Sequence, residues 1–346
     1  MYLKLVPDNT NIQFTKLRFA AIALSATLIV GSIVALFTLG LNFGVDFRGG
    51  VTIEVADSET IDVAGVRTKI SALGLGDVKV QEIQDFAGAD PAVVVFIEQQ
   101  DSAVEDETGA VEVAGEALEG IAEETSEEDG ATVLEGAQQD AARLVQDALK
   151  ELLGEGIEFR RVEVVGPTVS GELINKGAMA VVFAIGLMLV YIWFRFEWQF
   201  SLGSIVALMH DVIITLGLFA VTRLEFNLAI IAAILTIVGY SMNDTVVVYD
   251  RVRENLRKFK KRELADILDL SVNETLSRTI MTSVTTLLAL VALVVFGGEV
   301  LRGFTMAMIW GVLIGTYSSV FVASPFLLAT NVKRDWSKQA VATAAP

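Results

Sequence analysis

The sequence predicts an α-helical membrane protein, a bundle of six spans that carries one α+β domain outside the bilayer. Three observations lead there. Apolar residues make up 53% of the 346 residues and the mean hydropathy is +0.56, too high for a soluble globular chain. Six apolar runs approach or exceed the roughly 20 residues that a helix needs to cross a bilayer. Charge is also segregated: residues 41–176 hold 9 basic and 30 acidic side chains, whereas the rest of the chain holds 17 and 13.

Taken in order, the expected spans are Phe19–Leu39, Gly177–Phe194, Leu202–Thr222, Phe226–Tyr249, Thr279–Phe296 and Phe304–Ala329. The first is too long for the apolar part of a secretory signal, and Leu39-Gly40-Leu41 is no small-residue cleavage site, so it reads as an uncleaved anchor. The second and fifth are short and borrow flanking residues. Lys and Arg set the orientation. Lys4, Lys16 and Arg18 precede span 1, seven cations from Arg251 to Arg262 follow span 4, and Lys333, Arg334 and Lys338 follow span 6. The opposite short loops hold only Arg223 and Arg302. Both termini and the loop 250–278 are therefore expected in the cytoplasm, with residues 41–176 on the periplasmic side of a bacterial membrane.

That outer region alternates strands and helices. Val51–Ala56 has period two, and Ile61–Leu73 has helical spacing and stops at Gly74. Val78–Ile83 and Val93–Glu98 read as strands, Ala141–Leu153 as a helix and Ile157–Val165 as a last strand. The order β-α-β-β-α-β is the split β-α-β pattern of a ferredoxin-like sandwich. Between Glu98 and Asp129 stand 13 acids and no base, so an insert of about 99–140 is expected to be solvated and disordered. Glu127-Glu128-Asp129 lacks EF-hand spacing for calcium.

Composition excludes several chemistries. No cysteine means no disulfide, thiolate nucleophile or Cys-type metal site, and the single histidine, His210, excludes a multi-His site. No metal or cofactor is expected. The acidic domain repels nucleic acid and anionic headgroups.

Ionisable side chains inside spans are costly and each needs a reason. Span 3 carries His210 and Asp211, span 4 carries Asn243 and Asp244, and Arg278 opens span 5. Asp250 and Arg251 close span 4. If spans 4 and 5 are antiparallel neighbours, Arg278 reaches the depth of Asp244 and keeps it ionised until a proton or a rearrangement parts them. The alternative is a static pair that fixes packing. Asp211 either handles protons or lines a substrate path, or it is an inward-facing acid bonded to Ser, Thr or Asn on a facing helix. Neighbours on a helix point about 100° apart, so His210 need not touch Asp211 and reads as a packing and hydrogen-bonding residue. Gly311 and Gly315, followed by Ser318, Ser319 and Ser324, favour close helix contact, and Pro325 is expected to kink the end of span 6.

Five segments then carry a resemblance: Asp46-Phe47-Arg48-Gly49-Gly50 after span 1, Val165-Gly166-Pro167-Thr168-Val169 before span 2, Phe194-Arg195-Phe196-Glu197-Trp198 after it, Ala207–Ile213 in span 3, and Gly239–Asn255 at the end of span 4. In this order, over six spans, the chain resembles the SecF family of the SecD–SecF export complex in the RND superfamily. The resemblance implies a six-span half of an RND-type bundle with a periplasmic domain after span 1, in the bacterial inner membrane. It implies a subunit that uses the proton gradient to assist preprotein translocation. It matches Asp244, Arg278 and Asp211 to the family's intramembrane charges. It implies SecD as the partner half, the SecYEG translocon, preproteins as substrates and a YajC-like accessory subunit, all within membrane lipid. The insert departs from the family's pattern. Rival readings are an RND-type half that moves lipid or small molecules, an assembly factor whose charges only pack, and an intramembrane aspartyl protease using Asp211 and Asp244. The last lacks a Gly-x-Gly-Asp pattern, since Ser241-Met242-Asn243 precedes Asp244.

Overall fold

A computed structural model describes residues 7, 10–57, 61–83, 91–98, 127–154, 156–297, 301–330 and 332. In chain order the elements are α1 (Arg18–Thr38), α2 (Val45–Arg48), β1 (Gly50–Ala56), α3 (Val63–Ser71), β2 (Asp77–Ile83), β3 (Ala92–Glu98), α4 (Glu127–Leu153), β4 (Glu158–Val165), α5 (Pro167–Arg195), α6 (Trp198–Thr222), α7 (Leu228–Lys258), α8 (Leu264–Phe296) and α9 (Arg302–Ser318). A π-helical turn, Ser319–Ala323, continues α9 into α10 (Ser324–Ala329). The chain divides into two compact units, Phe43–Ala178 and the remainder.

The smaller unit is a four-stranded sheet in the order β2-β3-β1-β4, every neighbouring pair antiparallel. Strands β1 and β2 both oppose β3, so they run parallel with β3 inserted between them. This is the split β-α-β arrangement of a ferredoxin-like sandwich. Its core follows from the period-two pattern: Val51, Ile53 and Val55 bury against Val66 and Ile70 of α3 and Val145 and Leu149 of α4. Each such side chain contributes about 1.5–3 kcal/mol on leaving water. The Asp62 carboxylate caps α3 by accepting from the Ala64 amide at 3.0 Å.

One boundary differs from expectation. Helix α4 starts at Glu127 and takes in residues that composition assigned to the insert. Ala, Glu and Gln are good helix formers, and acids in a first turn favour the positive end of the helix dipole. Net charge alone was therefore a poor reason to deny this stretch a helix. The disorder expected of 99–126 falls outside the described residues, as do the side chains of Glu127-Glu128-Asp129.

Among the described residues six helices are long and apolar enough to cross a membrane: Phe14–Thr38, Ser170–Arg195, Trp198–Thr222, Leu228–Lys258, Leu264–Phe296 and Arg302–Ala329, the second of which begins in the smaller unit. The expected loop 250–278 is mostly helix. Helices α7 and α8 run on past the apolar stretch and meet across the five residues Phe259–Glu263. The extension is tied by Arg251, which donates to Glu254 at 2.6 Å and to Glu274 at 2.7 Å. The buried Asn255 amide adds bonds to Ser271 at 3.0 Å and Glu274 at 2.7 Å.

In lipid, apolar burial gives little drive for helices to associate, and close approach of small residues replaces it. A Cβ on Gly311 would stand 2.2 Å from Ile237, and one on Gly315 would stand 3.0 Å from Ser241, so α9 lies directly against α7. Helices α1 and α6 meet the same way, since a Cβ on Gly217 would stand 2.1 Å from the Ser32 hydroxyl. Pro325 has no amide hydrogen and its ring crowds the preceding turn. The turn before it widens to the π form, where the Ser324 hydroxyl donates to the Ser319 carbonyl at 3.1 Å. Ahead of α1 the chain is clasped to α8. The Asp269 carboxylate accepts from the Thr15 amide and hydroxyl at 2.8 and 2.7 Å, and Asn273 exchanges two bonds with the Ile12 backbone.

Candidate functional site

Among the described residues three carboxylates are buried in the larger unit: Asp269, which clasps Thr15, and two that lie within apolar spans. Asp211 on α6 is 1% exposed and Asp244 on α7 is 9% exposed. Both sit on the inward stripe of their helices: Ala207, Leu208, Ile214 and Thr215 are buried three or four positions from Asp211, and Ile237, Ser241 and Val248 are buried three, four or seven positions from Asp244.

Asp211 is held from three helices. One oxygen lies 2.8 Å from Nδ1 of His210. The other accepts the hydroxyls of Ser241 on α7 at 2.5 Å and Ser318 on α9 at 2.7 Å. So the neighbours His210 and Asp211 do touch: the carboxylate turns back along the helix to reach the imidazole. The far ring nitrogen, Nε2, lies 3.1 Å from the Ser25 hydroxyl on α1, which lies 3.1 Å from the Tyr317 hydroxyl on α9. Tyr317 donates to the Ala21 carbonyl at 2.9 Å, and its ring stacks on His210 with centroids 5.9 Å apart. Both ring nitrogens of His210 are thus engaged.

Asp244 has hydroxyl partners only. Thr279 on α8 donates to one oxygen at 2.5 Å, and Ser319 donates to the other. Ser318 and Ser319, adjacent in the chain, therefore hold two different carboxylates from two different helices. On a regular helix their side chains would diverge by about 100°. The π-turn that begins at Ser319 sits where that divergence is converted into one serine for each acid. Such turns are frequent at functional sites. Beyond it, Tyr240 donates to Ser283 at 3.2 Å, and Ser283 and Thr316 lie 2.7 Å apart, extending the polar seam between α7, α8 and α9.

The remaining expected site residues are placed differently. Arg278 is exposed and forms no ion pair with Asp244 among the described residues. It lines a groove of about 320 Å³ with Val247, Asp250, Arg251, Glu254, Glu274 and Thr275. The following residue, Thr279, takes the inward position instead, because successive helix positions are turned by about 100°. Asn243 is exposed and stands apart from the acid beside it. Asp250 pairs with Arg195 of α5 at 3.2 Å near the end of the bundle. Asp211 and Asp244 keep separate hydrogen-bond partners.

The glycine-rich segment lies in the smaller unit. Val45–Arg48 forms one helical turn, and Gly49 and Gly50 follow with φ of 70° and 123°. Side chains rarely adopt those values, so the turn into β1 requires glycine. Gly50 pairs with Val165, and the Gly166 carbonyl accepts from the Ser170 amide at 3.0 Å at the start of α5. The segments Asp46-Phe47-Arg48-Gly49-Gly50 and Gly166-Pro167, far apart in sequence, thus meet at one end of the sheet.

Sequence reasoning missed Ser25, Ser241, Thr279 and Tyr317, and it read Ser318 and Ser319 only as small residues. The signal for the two serines was present: they stand six and seven positions before a proline inside a span.

Comparison with known proteins agrees with this architecture. Residues 144–333 match the family model described as protein export membrane protein SecD/SecF, C-terminal, and residues 34–56 match the SecD/SecF GG motif. The chain is 46% identical to protein translocase subunit SecF of Cereibacter sphaeroides, over 97% of this chain and 95% of that one. It is 39% identical to the SecF of Rickettsia bellii, over 94% and 95%. Among solved structures it is similar to SecDF of Thermus thermophilus, with a TM-score of 0.75 and 31% identity over 96% of this chain. It spans 40% of the length of that SecDF chain. With the fold, the GG segment and near full-length identity in agreement, the chain belongs to the SecF family of protein translocase subunits.

Proposed function

We propose that this subunit works with a SecD partner as a proton-driven auxiliary of the Sec channel, helping preproteins across the bacterial inner membrane. The observation that carries the reading is the pair of buried carboxylates fastened to adjacent serines, Ser318 at the end of α9 and Ser319 at the start of the π-turn. A buried acid without a countercharge is expensive in a bilayer, and its presence calls for a use. Hydroxyl partners suit a group that changes charge, because a hydroxyl donates to a carboxylate and accepts from a carboxylic acid. Asp244 is the proton-carrying group, with Asp211 as a second acid. Arg278 acts on Asp244 from the nearby groove or by moving toward it.

The SecDF chain of Thermus thermophilus is longer than this one by more than half of its own length, and the SecD partner accounts for the difference. Lys and Arg in the N-terminal tail, the α7–α8 junction and the C-terminal tail support cytoplasmic termini and a periplasmic domain built from residues 41–176. SecYEG and a YajC-like subunit complete the assembly. The role is transport rather than catalysis.

The test is export of a reporter preprotein in cells depleted of their own SecF and supplied with this chain and its native SecD. The intact chain restores export. Asp244→Asn, inserted and assembled to the same level, loses at least about tenfold, as expected when an interaction of about 1.4 kcal/mol or more is removed from the working step. Wild-type export by Asp244→Asn would sink the reading.

A further inference from the structure

The hydrogen-bond chain that starts at Asp211 fixes a proton count. Tyr317 donates its one hydroxyl hydrogen to the Ala21 carbonyl, 2.9 Å away. The Tyr317 oxygen can then only accept from Ser25, 3.1 Å away, so the Ser25 hydrogen points to Tyr317. The Ser25 oxygen must in turn accept from Nε2 of His210, also 3.1 Å away, and Nε2 must carry a hydrogen. The 2.8 Å contact between Nδ1 and Asp211 then needs a second hydrogen. A neutral imidazole beside an ionised carboxylate has only one between them.

We propose that His210 and Asp211 form a dyad that stores one proton, shared between Nδ1 and the carboxylate, and that releasing it breaks the Ser25–Tyr317 link between α1 and α9. With the proton the dyad has no net charge, the state that a low-dielectric interior favours. Without it, the remaining hydrogen moves to Nδ1 to face the carboxylate. Nε2 becomes an acceptor, and Ser25 must turn its hydroxyl from Tyr317 to His210. The tautomer thus reports whether Ser25 bonds Tyr317 or His210, while the Tyr317–Ala21 bond ties α9 to α1 in both states. Other groups near the dyad leave this count unchanged. Ser241 from α7 and Ser318 from α9 both donate to the other Asp211 oxygen. Asp244 is held by Thr279 and Ser319, and Arg278 lies in the groove beside it. That the stored proton serves export rests on the proposed function, whereas the proton count does not.

His210 is the one histidine of the chain, so a single labelled imidazole can be read without assignment. The experiment is nitrogen NMR of the full chain, 15N-labelled at histidine and reconstituted with its SecD partner in bilayers, across a pH series. The expected result is a protonated Nε2 at the acidic end and a change to a bare Nε2 with a protonated Nδ1 as pH rises. Tyr317→Phe keeps the stacked ring and removes the acceptor for Ser25. The protonated form then loses one bond, and the change should occur at about fivefold higher proton concentration. Asp211→Asn should abolish the change. A bare Nε2 at every pH, or an identical midpoint in Tyr317→Phe, would overturn the dyad. Export by Asp244→Asn tests the transport reading separately: normal export with the tautomer change intact would remove that reading and leave the dyad standing.

Discussion

The sheet core and the interhelical seam are both buried, yet they are built from opposite materials. In the smaller unit Ile53, Val55, Val66 and Leu149 have no measurable exposure and belong to one apolar cluster. The bundle buries apolar side chains too, Phe200, Tyr249 and Leu256 among them, but its seam adds Asp211, Ser241, Asp244, Ser318 and Ser319, and large apolar side chains also turn outward: Phe37, Phe194 and Phe296 are each at least 85% exposed. A water-facing domain gains stability chiefly by removing hydrocarbon from water. A bilayer removes that incentive, and helices associate through small residues and hydroxyls. Polar groups in the second setting can therefore be arranged for chemistry without disturbing the main source of folding energy.

The contrast has measurable consequences. The largest is in the sheet. Ile53→Ala opens a cavity at its centre and should cost about 3 kcal/mol, seen as faster hydrogen exchange of the β1 and β3 amides in the full chain. The same experiment on an exposed bundle residue such as Phe37→Ala should leave exchange in the bundle unchanged. Next comes Gly311→Ala, whose methyl would collide with Ile237. Forcing α9 from α7 should cost about 1–3 kcal/mol, read as a lower unfolding midpoint of the purified protein in detergent. Equal stability would mean that the two helices are not pressed together as described. The smallest effect is expected for Lys69→Ala, which removes a solvent-exposed ion pair with Glu151 at 2.9 Å. Exposed pairs contribute below about 1 kcal/mol, so the exchange pattern of α3 should hardly move.

The two regions also differed in how far the sequence disclosed them. The sandwich was legible because burial imposes a period, two for Val51, Ile53 and Val55 and three to four for Ala142, Val145, Ala148 and Leu149. Only α4 began earlier than expected, where an acid-rich but helix-favouring stretch was taken for loop. Span existence was equally clear, but span ends were not. Helices α7 and α8 run beyond the apolar stretch because charged side chains such as Arg251 and Glu274 pair across them, and hydropathy cannot register a pair.

The site was legible in part. Asp211, Asp244 and His210 stood out because charge inside a span is rare. Their partners did not, since a serine in a transmembrane helix looks like any small residue. Among the described residues no direct ion pair joins Arg278 to Asp244: Thr279, one position on, bonds the acid, and Arg278 lines the groove, near enough for its charge to act on Asp244. Phase to within one residue depends on how α7 and α8 are rotated against each other, which packing decides and local sequence does not.

The most direct measurement is proton flux. The full chain and its SecD partner are reconstituted in vesicles, a pH gradient is imposed, and internal pH is followed for the wild type and for Asp244→Asn. Gradient-driven proton entry through the wild type, reduced to the leak of empty vesicles in the assembled variant, is the predicted result. Equal flux through both would contradict the assignment of Asp244 as the proton carrier and leave its hydroxyl cage as packing alone.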